Sequence, residues 1–121
     1  MSEKKVLIVE DDKSITTVYT MMLEEQGYSV HTASSGQEAL SLADSFNLVI
    51  LDIELPDIMG DQVAKGIKER RMADNIVLMT GFPDLEGCID VLDAGIQEIL
   101  LKPISPDEIL RVAREAFSRY K

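Results

Sequence analysis

What most constrains this chain is a regular alternation between two kinds of segment. Short apolar runs rich in β-branched residues occupy positions 6–9, 30–33, 48–51, 76–79 and 99–101. Between them, apolar residues recur at three- and four-residue spacing. Ile15, Val18, Met22 and Leu23 make one such stripe, and Ile109, Val112, Ala113, Ala116 and Phe117 make another. A strand alternates its side chains between two faces, whereas a helix gathers i, i+3 and i+4 on one, so the chain reads as repeated βα units. Leu48-Val49-Ile50-Leu51 has no polar face at all. A strand covered on both sides by helices requires that.

Local signals mark the helix ends. Ser35-Gly36-Gln37-Glu38 and Ser105-Pro106-Asp107-Glu108 both have capping-box form, and Pro106 falls at a first helical position, where its missing N–H costs nothing. Gly27 and Gly95 stand where helices stop and the chain turns into the next strand. Five βα units predict an α/β fold, a doubly wound five-stranded parallel sheet with helices on both faces. Parallel strands need crossovers, and crossovers are right-handed. The flavodoxin-like strand order 2-1-3-4-5 is the common solution. It places ligands beyond the carboxyl ends of the strands, where the winding reverses.

Composition narrows the function classes. At 121 residues the chain makes one domain. Its net charge of -10 argues against direct nucleic-acid binding, which relies on Lys and Arg. A single cysteine, Cys88, excludes an internal disulfide or a cysteine metal cluster and fits a reducing cytosol. No apolar run approaches the ~20 residues of a membrane span, and the start of the chain lacks signal-peptide form. A cytoplasmic location is expected.

The carboxyl ends of the strands hold the informative residues. Glu10-Asp11-Asp12 follows the first strand, Asp52 the third, Thr80-Gly81 the fourth and Lys102-Pro103 the fifth. Singly, each has a plainer reading: a turn aspartate, a helix-capping threonine, a solvated lysine. Together they bring carboxylates, a hydroxyl and an ammonium to one end of one sheet. Two carboxylates about 5 Å apart repel by roughly 3 kcal/mol at an effective dielectric near 20. Such a cluster raises its own pKa values or recruits a cation. All-oxygen ligands favour a hard divalent ion, and Mg²⁺ fits a site of few carboxylates completed by a phosphate oxygen.

In these four blocks the chain resembles the receiver domains of response regulators. Val9-Glu10-Asp11-Asp12, the stretch from Asp52-Ile53-Glu54-Leu55-Pro56 to Gly60, Met79-Thr80-Gly81 and Leu101-Lys102-Pro103 come in the family's order and at matching intervals. The resemblance covers essentially the whole chain, residues 1–121, as one receiver domain. It implies that Asp52 is the phosphoacceptor and that Glu10 and Asp11 position Mg²⁺ together with Asp52 and the main-chain carbonyl of Glu54. Thr80 corresponds to the switch hydroxyl and Lys102 to the lysine that pairs with the phosphate. Pro103 corresponds to a proline often preceded by a cis bond. Asp12 lies outside the acidic pair and is expected to be solvated or capping.

The implied protein is a signalling domain rather than a conventional enzyme, promoting its own phosphorylation and dephosphorylation. Its partners would be a sensor histidine kinase or phosphotransfer protein and a downstream protein or effector domain. Either a free-standing receiver or one domain of a longer regulator fits. The competing reading is a pseudo-receiver that binds protein without phosphorylation; intact Asp52, Thr80 and Lys102 count against it. An aspartyl-phosphate hydrolase would carry its nucleophile after the first strand. A flavin carrier would not place Glu10-Asp11-Asp12 where a phosphate must sit.

Three positions depart from the family pattern. Ile99 replaces a fifth-strand aromatic, Glu54 puts an acid near the mouth of the site, and Phe82 puts an aromatic there. The last two are expected to tune phosphoryl lifetime. His31, on the second strand, reads as a surface or half-buried residue, Cys88 as core beside Leu85 and Leu92, and the Met21-Met22 pair as packed. Some family members dimerise by pairing helix bases with acids near the fifth strand. Residues 84–93 carry four acids and no Lys or Arg, which disfavours that pairing and predicts a monomer or weak dimer.

Overall fold

The computed structural model describes residues 4–81 and 96–118. The expectations for Phe82, residues 84–93 (Cys88 included) and Gly95 lie outside them. Five strands and four helices are described, in the order β1 (Lys5–Val9), α1 (Lys13–Glu25), β2 (Ser29–Ala33), α2 (Gly36–Ser41), β3 (Phe46–Asp52), α3 (Gly60–Glu69), β4 (Ala73–Thr80), β5 (Ile96–Leu101) and α4 (Pro106–Ser118). All strand pairings are parallel, and the sheet order is β2-β1-β3-β4-β5, as the alternation predicts. Each apolar run lies inside a strand that extends beyond it, β1 and β2 by a single residue and β3, β4 and β5 by more.

The two-residue period of the strands divides the core. Leu7, Val9, Val49, Leu51 and Leu78 point to one face and pack with Val63, Ala64 and Ile67 of α3 and Ala39 of α2. Val6, Ile8, Leu48, Ile50, Val77 and Met79 point to the other and pack with Tyr19 and Leu23 of α1 and Ile109, Val112, Ala113 and Ala116 of α4. Every residue of the 48–51 run is fully buried, because helices cover both of its sides.

The caps work largely as the sequence indicates. Asp12 caps α1, its carboxylate accepting from the N–H groups of Ser14 and Ile15 at 2.9 and 3.3 Å. Ser105 and Glu108 close a reciprocal capping box. In the first box Ser35 caps Glu38 N–H, but the Glu38 carboxylate turns to the N–H and hydroxyl of Ser34 instead. Gly27 ends α1 at φ +92°, a conformation that costs other residues steric strain.

Two packing expectations fail. Val18 is 49% exposed and Met21 59% exposed, whereas Thr16 and Tyr19, outside the apolar stripe, are buried. The buried face of α1 is rotated so that Tyr19 reaches the main-chain oxygen of Ile104 with its hydroxyl. His31 is exposed on β2 and meets the edge of Phe46.

Candidate functional site

Where β1 and β3 lie side by side at the centre of the sheet, their carboxyl ends bring the acidic residues together. Glu10 directly follows β1, and its N–H is held by the carbonyl of Ala33 at the end of β2. Asp52 is the last residue of β3, in register with Met79 of β4. Thr80 ends β4, and its carbonyl accepts from Lys102 N–H, which fixes the start of the loop after β5. Backbone pairing therefore delivers Glu10, Asp52, Thr80 and Lys102 to one edge. Glu10, Asp52 and Thr80 are 3%, 2% and 1% exposed. The Lys102–Pro103 peptide bond is cis.

Carboxylate oxygens of Glu10, Asp11 and Asp52 lie within 4.8 Å of one another. The Lys102 ammonium lies 2.8 Å from Asp52 Oδ2 and 3.6 Å from Glu10 Oε1. The second distance is an ionic contact too long for a hydrogen bond, and Glu10 Oε1 is buried without a hydrogen-bond donor. Burial, reinforced by the adjoining Asp52 and Asp11 carboxyls and only partly opposed by Lys102, pushes Glu10 up to about 8. Burial pulls the Lys102 ammonium down, but Asp52, Glu10 and Glu54 outweigh it and hold its pKa above the ordinary lysine value. One ammonium thus faces a cluster whose charge it does not neutralise. An oxygen-only donor set with an orphaned buried carboxylate oxygen suits a hard divalent cation such as Mg²⁺.

The turn after Asp52 is anchored on several sides. Glu54 N–H donates to Asp52 Oδ1 at 2.9 Å, Ile53 N–H to the Met79 carbonyl and Gly60 N–H to the Ile53 carbonyl. Gly60 lies against this turn so closely that a Cβ there would stand 2.3 Å from Ile53 Cα. Asp57 ties the same loop to α2, accepting from Gly36 and Gln37 N–H at 2.9 Å each; those bonds hold its carboxyl below the usual range. The Glu54 side chain is exposed and reaches across to the end of β4, where its Oε1 accepts from Gly81 N–H at 2.7 Å.

The residues singled out for the site, Glu10, Asp11, Asp52, Glu54, Thr80 and Lys102, therefore stand at this one edge, with Asp12 turned to capping. Sequence reading missed the tie from Asp57 and the contact from Glu54 to Gly81. Both cross between loops far apart in the chain, where spacing carries no signal. Among the described residues no helix is long and apolar enough to cross a membrane.

Comparison with known proteins agrees with this geometry. The family model for the response regulator receiver domain matches residues 6–114. The alkaline phosphatase synthesis transcriptional regulatory protein PhoP of Bacillus subtilis is 35% identical over 108 residues, which are 88% of this chain and 45% of PhoP. The transcriptional regulatory protein SrrA of Staphylococcus aureus is 32% identical over 88% of this chain and 44% of its own length. The chain spans less than half the length of these relatives. Among solved structures, a CheY-like receiver domain from Methanospirillum hungatei superposes with a TM-score of 0.87 at 33% identity, covering 98% of this chain and 96% of that one. The BeF3-activated receiver domain of DrrB, a Thermotoga maritima protein, gives 0.86 at 30% identity, covering 98% and 100%.

Proposed function

This chain belongs to the response regulator receiver domain family of two-component signalling, and on that premise we propose that residues 1–121 act as one phosphoacceptor domain. Asp52 takes the phosphoryl group from a histidine kinase or phosphotransfer protein, and the protein-binding surface changes as a result. The observation that carries this reading is the buried Asp52 carboxylate, set against both an orphaned Glu10 oxygen and the Lys102 ammonium.

The roles follow from charge. An Asp52 oxygen forms the new O–P bond as the donor's P–N bond breaks in line. Phosphoryl transfer passes through a loose state with charge spread over the equatorial oxygens, so positioning and neutralisation dominate. Glu10, Asp11, Asp52 and the Glu54 carbonyl would hold Mg²⁺, which supplies charge neutralisation for the acids and the phosphoryl oxygens. Lys102 exchanges its Asp52 contact for a phosphoryl oxygen. Thr80 supplies a hydroxyl, and the N–H of Gly81 a further donor. The acidic surface suits a protein target, and recognition of nucleic acid would fall to another domain in any longer regulator. The chain then works in the cytoplasm as a signalling domain, without a substrate of its own to turn over.

Incubation with acetyl phosphate and Mg²⁺, followed by intact mass, tests this. One phosphoryl group should be gained by the wild type, and none by Asp52→Asn or in excess chelator. A wild type that gains nothing would instead assign a phosphorylation-independent binding module.

A further inference from the structure

We propose that the Glu54 carboxylate is a gate on phosphorylation: it occupies the N–H of Gly81 and must leave before the incoming phosphoryl oxygens can be held there. This deepens the phosphoacceptor reading and rests on it.

Two observations place the carboxylate. The 2.7 Å contact with Gly81 N–H is a charge-assisted hydrogen bond, stronger than a neutral one. The Glu54 main chain is fixed by its own N–H on Asp52 Oδ1, so its side chain starts from a pinned backbone and spans from the end of β3 to the end of β4. The Glu54 anion thus already uses a donor that an incoming phosphoryl group needs and repels an anionic donor molecule while it stays.

Charge and reach are separable, which makes the gate testable. Glu54→Asp keeps the charge but is one methylene shorter; Glu54→Gln loses the charge but keeps an oxygen that can accept from Gly81. The full chain with Mg²⁺ and acetyl phosphate is followed by intact mass over time. A gate that works through the hydrogen bond makes Glu54→Asp and Glu54→Ala label about tenfold faster than wild type, the worth of one charge-assisted bond, and puts Glu54→Gln, with its weaker neutral bond, between wild type and Glu54→Ala. In the metal-free chain, the Gly81 amide proton should move upfield in Glu54→Asp and by less in Glu54→Gln. If rates follow charge alone, with Glu54→Asp as slow as wild type and Glu54→Gln as fast as Glu54→Ala, the gate is overturned. Equal rates in all four proteins, or an unmoved Gly81 amide in Glu54→Asp, overturn it too while leaving the phosphoacceptor reading intact. No label in any protein overturns both.

Discussion

Neighbouring aspartates can hold unlike tasks, and the pair at Asp11 and Asp12 shows how. The Asp12 carboxylate is spent on the first turn of α1, bonded to Ser14 and Ile15 N–H, while Asp11 offers an oxygen to the cluster with Glu10 and Asp52. Asp12→Ala should therefore cost about 1 kcal/mol of stability, the usual worth of an N-cap, and leave most phosphorylation in place. Denaturant titration and intact mass check the two halves; abolished labelling in a folded variant would move Asp12 into the site. Glu10 carries a pH signature. Its pKa stands raised in the folded, metal-free chain, to about 8 from an ordinary 4.5, so the folded state holds a proton that the unfolded state releases. The associated stability is complete below about pH 4.5 and is lost as pH rises through about 8. Without metal, wild type should weaken relative to Glu10→Gln between pH 5 and 8.5, and saturating Mg²⁺ should flatten the difference. Parallel stability curves for the two metal-free proteins would contradict this account of Glu10.

At the scale of elements, the loop between β3 and α3 positions the acceptor, and its tightest point is Gly60. There an added Cβ would meet main-chain atoms, Ile53 Cα at 2.3 Å and the Asp52 carbonyl oxygen at 2.9 Å, which cannot step aside as a side chain would. Gly60→Ala should thus cost roughly 1–3 kcal/mol as an overpacked contact and slow phosphorylation, since the displaced turn carries Asp52. Gly27→Ala is the matched comparison. It meets nothing within 4 Å and suffers only its φ of +92°, so it should cost about 1–2 kcal/mol and leave the labelling rate alone. Urea midpoints with labelling rates distinguish them; equal labelling in both variants would show that the loop tolerates the shift. Much of this scale was legible in the sequence. Periodicity placed the strands, Ser105 and Glu108 announced their box, and Gly27 its turn, because each signal is local. The orientation of α1 was not legible. Apolar spacing selects Val18 as readily as Tyr19, and only the hydroxyl's reach to Ile104 decides for Tyr19. Nor could spacing show that Glu54 meets Gly81 or that Asp57 meets α2, since those contacts exist only once the strands have been ordered.

For the whole molecule the question is what meets the edge formed by β5 and α4. Of the two bases on α4, Arg111 and Arg114, Arg111 is already engaged. Its guanidinium grips both oxygens of Glu98 at 2.6 and 3.0 Å and reaches Glu115 one turn along α4. The bond from Arg111 in turn lowers the Glu98 pKa, so the pair persists well below neutral pH. A symmetric dimer built on charge pairing through Arg111 would have to break this fork in both copies and bring together surfaces from a chain of net charge -10. Like charges across an interface disfavour association. The edge also presents apolar surface: Leu101 of β5 is 52% exposed, next to the strand end that carries Thr80. A partner offering an apolar or basic patch fits that surface better than a second copy does. Sedimentation with and without beryllofluoride should therefore give a monomer or a weak dimer in both states. A tight dimer that forms only on activation, dissolves in high salt and is lost in Arg111→Ala would show that the fork opens and that charge pairing builds the interface after all.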